Sequence, residues 1–248
     1  MKTNKLSKVI TLLSASLFTA GANATTNYLS EGHLSLEVVS FTDKYGATFD
    51  LDSQPASIVS WVYDNFDDED YSVSMIGDAY AEGVTTAVSD LGFIELDTQV
   101  SGYAGSAYAS AGSDATAEAQ FSFENTSSDD YRINMALSYS ASGEVDTDTP
   151  ADQQNGEAGT VIELYGDNAF SQDISASMVA SLIGGPFSGS SSMDFSFLIE
   201  AGETENIFAS IYSYGNSESV SAVPLPPSVF LMAPAVMGLL LRSKKVSS

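Results

Sequence analysis

Thirty-three Asp and Glu residues, one His and no Cys set the chemistry open to this chain of 248 residues. Asp64, Asp67, Asp68 and Asp70, with Asn65 and Glu69 between them, gather hard oxygen donors in one short stretch. Calcium takes about six to eight such ligands, and a loop between strands can present them. Asp146, Asp148, Asp152 and Glu157 form a second acidic stretch. Neither contains an Asp-x-Asp-x-Asp-Gly loop, so a solvated acidic loop stands beside calcium as the reading of both. Paired carboxylates about 5–10 Å apart would suit a glycoside hydrolase. With 33 acidic residues, such pairs arise without any one being singled out. A nucleophilic triad is disfavoured: His33 is the single imidazole, and no Gly-x-Ser-x-Gly elbow occurs. His33 reads as an ordinary residue at a strand edge. Without Cys there is no disulfide framework, thiol nucleophile or thiolate metal site. No phosphate-cradling Gly loop leads into a Lys. Trp61, Tyr63, Tyr71, Tyr103, Tyr108, Tyr212 and Tyr214 could stack on sugar rings or pack across strands. No catalytic residue is assigned and a non-enzymatic protein is expected.

The elements that must carry these residues have period two. Leu34, Leu36 and Val38 alternate with Ser35 and Glu37; Tyr71, Val73 and Met75 alternate with serines. Ala115, Ala117, Ala119, Phe121 and Phe123 alternate with polar residues, as do Ile133, Met135, Leu137 and Tyr139. Phe195, Phe197 and Ile199 follow the same rule, and so do Ile207, Ala209 and Ile211. Side chains alternate across a strand, so each segment should bury one face and wet the other. Ile58–Tyr63 and Val161–Tyr165 read as more fully buried strands. The Ala-rich run 104–119 reads as strand rather than helix because Gly, Ser and Thr interleave it and it continues into Phe121-Ser122-Phe123. Turn residues gather at 125–130, 143–159, 184–192 and 201–203. The expected fold is all-β, an antiparallel β-sandwich of jelly-roll-like form. A solenoid is the rival, but no short repeat has a fixed period.

The ends differ from this body. Lys2, Lys5 and Lys8 precede an apolar run from Val9 to Ala20, and Ala22-Asn23-Ala24 follows. Residues 1–24 therefore read as a signal peptide, with Ala22 and Ala24 marking the signal-peptidase site; a short core helix is the alternative. At the other end, Val223, Pro224, Leu225 and Pro226 lead into an apolar run ending at Leu241, followed by Arg242, Lys244 and Lys245. As a helix at about 1.5 Å per residue, this stretch just spans a bilayer core. The basic tail would stay cytoplasmic, leaving residues 25–222 on the far side of the inner membrane.

Segment 223–248 resembles the PEP-CTERM sorting signal, in the variant that begins Val-Pro-Leu-Pro-Ala. Here Pro227 replaces the usual Ala, and Pro234 interrupts the helix. The resemblance implies a Gram-negative bacterial protein and recognition by an exosortase-type transpeptidase. It also implies cleavage near the motif and delivery to the cell surface or exopolysaccharide matrix. An ordinary C-terminal membrane anchor is the alternative.

The body, residues 25–222, holds all 33 acidic residues and two basic ones, Lys44 and Arg132, a net charge of −31. Such a surface repels phosphate, so nucleic acid is excluded as a partner. The sequence thus points to an exported matrix or biofilm protein built on an acidic β-sandwich. A carbohydrate- or calcium-binding module in the same place is the alternative, and a carboxylate-based hydrolase comes third.

Overall fold

The computed structural model describes residues 25–64, 70–90, 92–105, 108–147, 154–167, 174–181 and 185–219. All lie in one compact unit, Ala22–Val220. Ala22 and Ala24 of the expected signal peptide, the segment Val223–Pro226, the apolar run and the basic residues after it fall outside the described residues. Among the described residues, no helix is long and apolar enough to cross a membrane.

The unit is all-β. Its strands are β1 (Thr26–Asp43), β2 (Thr48–Phe49), β3 (Ile58–Asp64), β4 (Asp70–Ile76), β5 (Ala79–Asp90) and β6 (Phe93–Ala104). They continue as β7 (Ser110–Asn125), β8 (Tyr131–Thr147), β9 (Gln154–Gly166), β10 (Ile174–Ser181), β11 (Phe187–Ile199) and β12 (Thr204–Ser219). One antiparallel sheet has the order β11-β8-β1-β6-β5, with β2 beside β1; the other has β10-β9-β12-β7-β3, with β4 also on β7. We call these the first and second sheets. They pack face to face, with β1, β6 and β8 of the first against β7, β9 and β12 of the second.

The alternation read from the sequence sets the packing. Leu34, Leu36, Leu96, Ile133, Met135 and Leu137 point inward from the first sheet; Phe121, Phe123, Ile162, Leu164, Ile207 and Ile211 meet them from the second. Phe123 and Phe197, from the two Phe-Ser-Phe segments, meet edge-to-face at 5.8 Å between centroids. A bulge between Val38 and Ser40 shifts the register of β1, which moves burial from even positions to Phe41. Run 104–119 enters β7 with Ala115, Ala117 and Ala119 buried, as expected of a strand. A smaller cluster of Tyr28, Ala81, Val100, Ala111, Ala115 and Ala158 fills the other end.

Between the two clusters lies a layer of buried hydroxyls. Ser30 Oγ is 2.8 Å from Thr160 Oγ1, which is 3.1 Å from Ser213 Oγ, which is 2.8 Å from Thr98 Oγ1. Ser30 and Thr98 belong to the first sheet, Thr160 and Ser213 to the second. Each hydroxyl has a partner, so burial carries no orphan cost here, and the chain ties one sheet to the other.

Three expectations are corrected. Ile58–Tyr63 and Val161–Tyr165 are not buried on both faces: Val59 is 42% exposed and Tyr165 45%. β3 lies at a sheet edge, and among the described residues no third layer covers the outer face of β9. Tyr71, Val73 and Met75 are all exposed, because β4 sits at the margin of the sandwich and pairs only with β7. The turn segments 143–159 and 184–192 are largely strand, since β8, β9 and β11 run into them. Gly143 and Gly159 lie under large side chains: a Cβ on Gly143 would be 2.5 Å from the Phe187 ring, and one on Gly159 2.5 Å from the Tyr214 ring, whereas Gly185, at φ +75° with open space around it, is a turn glycine. Close packing, rather than turning, accounts for Gly143 and Gly159. The turn at 201–203 holds, with Gly202 at φ +81° where an L side chain would be strained.

Candidate functional site

The outward positions of the first sheet form an open groove that crosses all five main strands. The groove is about 740 Å³ and is lined by Ser188 and Ser190 of β11, Ser140 and Ser142 of β8, Glu31 and His33 of β1, Asp97 and Gln99 of β6, and Val84 and Thr86 of β5. Register explains the convergence. His33 stands opposite both Ser140 and Asp97, and Glu31 opposite both Ser142 and Gln99. Ser190 and Ser188 continue these two rows on β11, and Thr86 and Val84 continue them on β5. Two cross-strand rows, polar except for Val84 at one end, therefore make the floor, since residues two apart on a strand share a face.

Hydrogen bonds hold the rows. Gln99 Nε2 donates to Glu31 Oε1 at 2.6 Å, and Ser142 Oγ to Glu31 Oε2 at 3.4 Å. His33 Nδ1 lies 2.8 Å from Asp97 Oδ1 and 3.8 Å from Glu95 Oε1. Beneath the floor, Thr160 Oγ1 donates to the Glu31 carbonyl at 3.2 Å, so the hydroxyl layer braces the groove against the second sheet. On the same outer face, four residues further along β5 and β6, Tyr80 and Tyr103 stack at 6.2 Å and are 46% and 40% exposed. The Tyr80 hydroxyl donates to Glu82, and that bond holds the phenol pKa above its ordinary value.

The outer face of the second sheet is aromatic. Tyr165 stacks on Phe208 at 5.0 Å, and Tyr212 on Tyr214 at 5.6 Å. Tyr214 donates to Glu157 at 3.0 Å. Burial first, and then that bond, raise its phenol pKa. Burial, and then the charge of Asp114, do the same for Tyr212. Tyr165 and Phe208 are direct cross-strand partners on β9 and β12, whereas Tyr212 and Tyr214 are next neighbours on one face of β12.

The acidic stretches, read from the sequence as either solvated loops or calcium ligands, are not brought together among the described residues. Asp64 ends β3 and Asp70 begins β4, at the Ala119 and Thr116 registers of β7. Asp67 and Asp68 lie outside the described residues. In the second stretch, Asp148 and Asp152 also lie outside them. Asp146 points outward from the first sheet and Glu157 from the second, so the sandwich separates the pair. His33 is not at a strand edge. β1 lies between β6 and β8, in the middle of the first sheet. Among the sugar-stacking candidates, Tyr103, Tyr212 and Tyr214 join the ring pairs above, Tyr71 and Tyr108 are exposed, and Trp61 and Tyr63 lie on β3.

Sequence reasoning missed Glu31, Glu95, Asp97, Gln99, Ser140, Ser142, Ser188 and Ser190 as a group. Each was legible as an outward position, but strand order alone makes them neighbours.

No protein-family description matches the chain, and no curated protein matches it. Among solved structures it is similar to TmCBM61 in complex with beta-1,4-galactotriose, at 12% identity over 60% of this chain and 85% of that one. The TM-score is 0.15, a level at which the likeness carries no argument.

Proposed function

We propose that this chain is an exported, non-enzymatic protein of the cell surface or exopolysaccharide matrix, and that its body holds a neutral polysaccharide in the groove of the first sheet. The observation that carries the binding reading is the two-row floor of serine, threonine, glutamine and carboxylate groups, open to solvent across five strands. Such a floor offers donors and acceptors to sugar hydroxyls, and the exposed Tyr80–Tyr103 pair offers ring faces on the same side. Glu31 and Asp97 make the floor acidic, so a neutral glycan is favoured over an acidic one. Consecutive strands alternate between the sheets from β6 to β9 and from β10 to β12, which supports a jelly-roll-like reading of the sandwich.

Export rests on the sequence of the two ends. The basic lead and Ala22-Asn23-Ala24 support signal-peptidase processing. The Val223–Pro226 motif, apolar run and basic tail support passage through the inner membrane to an exosortase-type enzyme.

Screening the full chain on a glycan array tests binding, with Ser140→Trp as the blocked control. Neutral polysaccharides should bind, and the Trp side chain should abolish binding by filling the middle of the groove. Binding unaffected by Ser140→Trp would remove the groove from the account. Hydrolysis of a bound glycan that is lost in Asp97→Asn would contradict the non-enzymatic part. Fractionation of wild type against Pro224→Ala/Pro226→Ala tests sorting; unchanged fragment size and location would refute it.

A further inference from the structure

We propose that His33, Glu95 and Asp97 form a binding site for a divalent first-row transition ion of the zinc class. The inference does not rest on a glycan occupying the groove, although His33 and Asp97 line its floor. Strand register creates it. His33 on β1 faces Asp97 on β6, and Glu95 lies two residues from Asp97 on the same face. One ligand atom from each of the three residues lies within 4.8 Å of the other two. His33 Nδ1 faces both carboxylates, at 2.8 and 3.8 Å. With the carboxylate oxygens at their limiting separation, a point about 2.4 Å from all three atoms exists, against roughly 2.0–2.2 Å for zinc–nitrogen and zinc–oxygen bonds. Movements of a few tenths of an ångström close that gap, and exposed side chains make such movements readily.

The donor set selects the ion class. One imidazole and two carboxylates suit zinc, copper, nickel or cobalt, whereas calcium takes more ligands and only oxygen. Two carboxylates bring two negative charges to one point, and a dication neutralises them. The chain has no other cation for them among its described residues. Lys44 pairs with Asp129, and Arg132 donates to Ser196. The side chains of His33, Glu95 and Asp97 are 36%, 38% and 46% exposed, so a hydrated ion can reach all three. Waters would complete the coordination sphere on the groove side. In the bound state Nδ1 is the ligand atom and Nε2 carries the imidazole proton.

Isothermal titration of the full chain with zinc chloride in about 0.15 M salt, where diffuse counter-ion binding is screened, tests the proposal. One ion should bind per chain, and calcium should not compete. Asp97→Asn and His33→Gln should each weaken zinc binding by about tenfold or more, the loss that even outer-shell changes produce at metal sites. Cobalt should give a visible absorption band that is lost in His33→Gln, a readout that non-specific binding to acidic surface would not share. Circular dichroism should show both variants folded, since they replace exposed residues. Equal affinity in wild type and both variants, equal affinity for calcium, or no binding at all would overturn the proposal.

Discussion

Ser213→Ala removes one of the two hydroxyl pairs by which the buried polar chain crosses between the sheets, Ser213–Thr98; the other is Ser30–Thr160. Ser213 Oγ is bonded to Thr98 Oγ1 at 2.8 Å and to Thr160 Oγ1 at 3.1 Å. Thr160 keeps two partners, Ser30 Oγ and the Glu31 carbonyl. Thr98, only 3% exposed, is left without the partner it now has. One orphaned hydroxyl is thus created, not two, and a buried orphan costs about 1–3 kcal/mol. For a domain of this size each kcal/mol lowers Tm by roughly 2–4 °C, so a fall of about 2–12 °C is expected. Thr98→Val takes away the other end of the same bond while keeping the shape of the side chain, and it leaves Ser213 bonded to Thr160. It should cost about 1 kcal/mol. The double variant contains no orphan. It should therefore cost less than the sum of the singles, by about 1 kcal/mol or more. Urea denaturation of the four proteins in one buffer measures all three quantities. A Ser213→Ala cost below about 0.5 kcal/mol, or strict additivity in the double variant, would refute the claim that this layer ties the sheets together.

Gly215→Ala should be among the most damaging small changes in the body. Its Cβ would stand 2.1 Å from Cδ2 of buried Tyr28, and displacing that ring should cost about 1–3 kcal/mol by denaturation. Raising salt from about 0.01 to about 1 M shortens the Debye length from roughly 30 to 3 Å; with −31 charges on residues 25–222, Tm should rise, and equal melting at both ends would contradict the self-repulsion argument. Burial raises the Tyr28 phenol above its ordinary pKa, opposed by its bond to Ser113. The unfolded phenol ionises first, so this contribution to stability is complete below about pH 10 and is lost as pH rises through the folded value. The alkaline fall in stability should be smaller in Tyr28→Phe when urea midpoints are compared from about pH 8 to 11.

Period-two alternation carried most of the fold in this sequence. Leu34, Leu36, Phe121, Ile133 and Ile207 point inward in the structure as their spacing requires. Strand lengths were less legible, because Gly143, Gly156 and Gly159 look like turn residues in one dimension. Only the folded structure shows that rings from neighbouring strands cover Gly143 and Gly159, and that Val145 of the facing sheet covers Gly156. The groove was legible only as scattered outward positions. Ser188, Ser140, His33, Asp97 and Thr86 span more than 150 positions in the chain, and nothing local in the sequence places β8 and β6 on either side of β1. For the same reason the acidic stretch 64–70 drew attention as a metal site while Glu95 and Asp97 did not. Density along the chain is visible in a sequence, but convergence across strands is a property of the register.

His33 gives the central claim its most direct measurement, because it is the only histidine and stands in the middle of the groove floor. Its imidazole resonances in a proton–nitrogen NMR spectrum are therefore a single, already assigned reporter. Titrating a neutral oligosaccharide into the full chain should shift them progressively to saturation, and Ser140→Trp should remove the shift. A panel of neutral glycans of which none binds, or one that binds while the His33 signals stay still, would contradict the account.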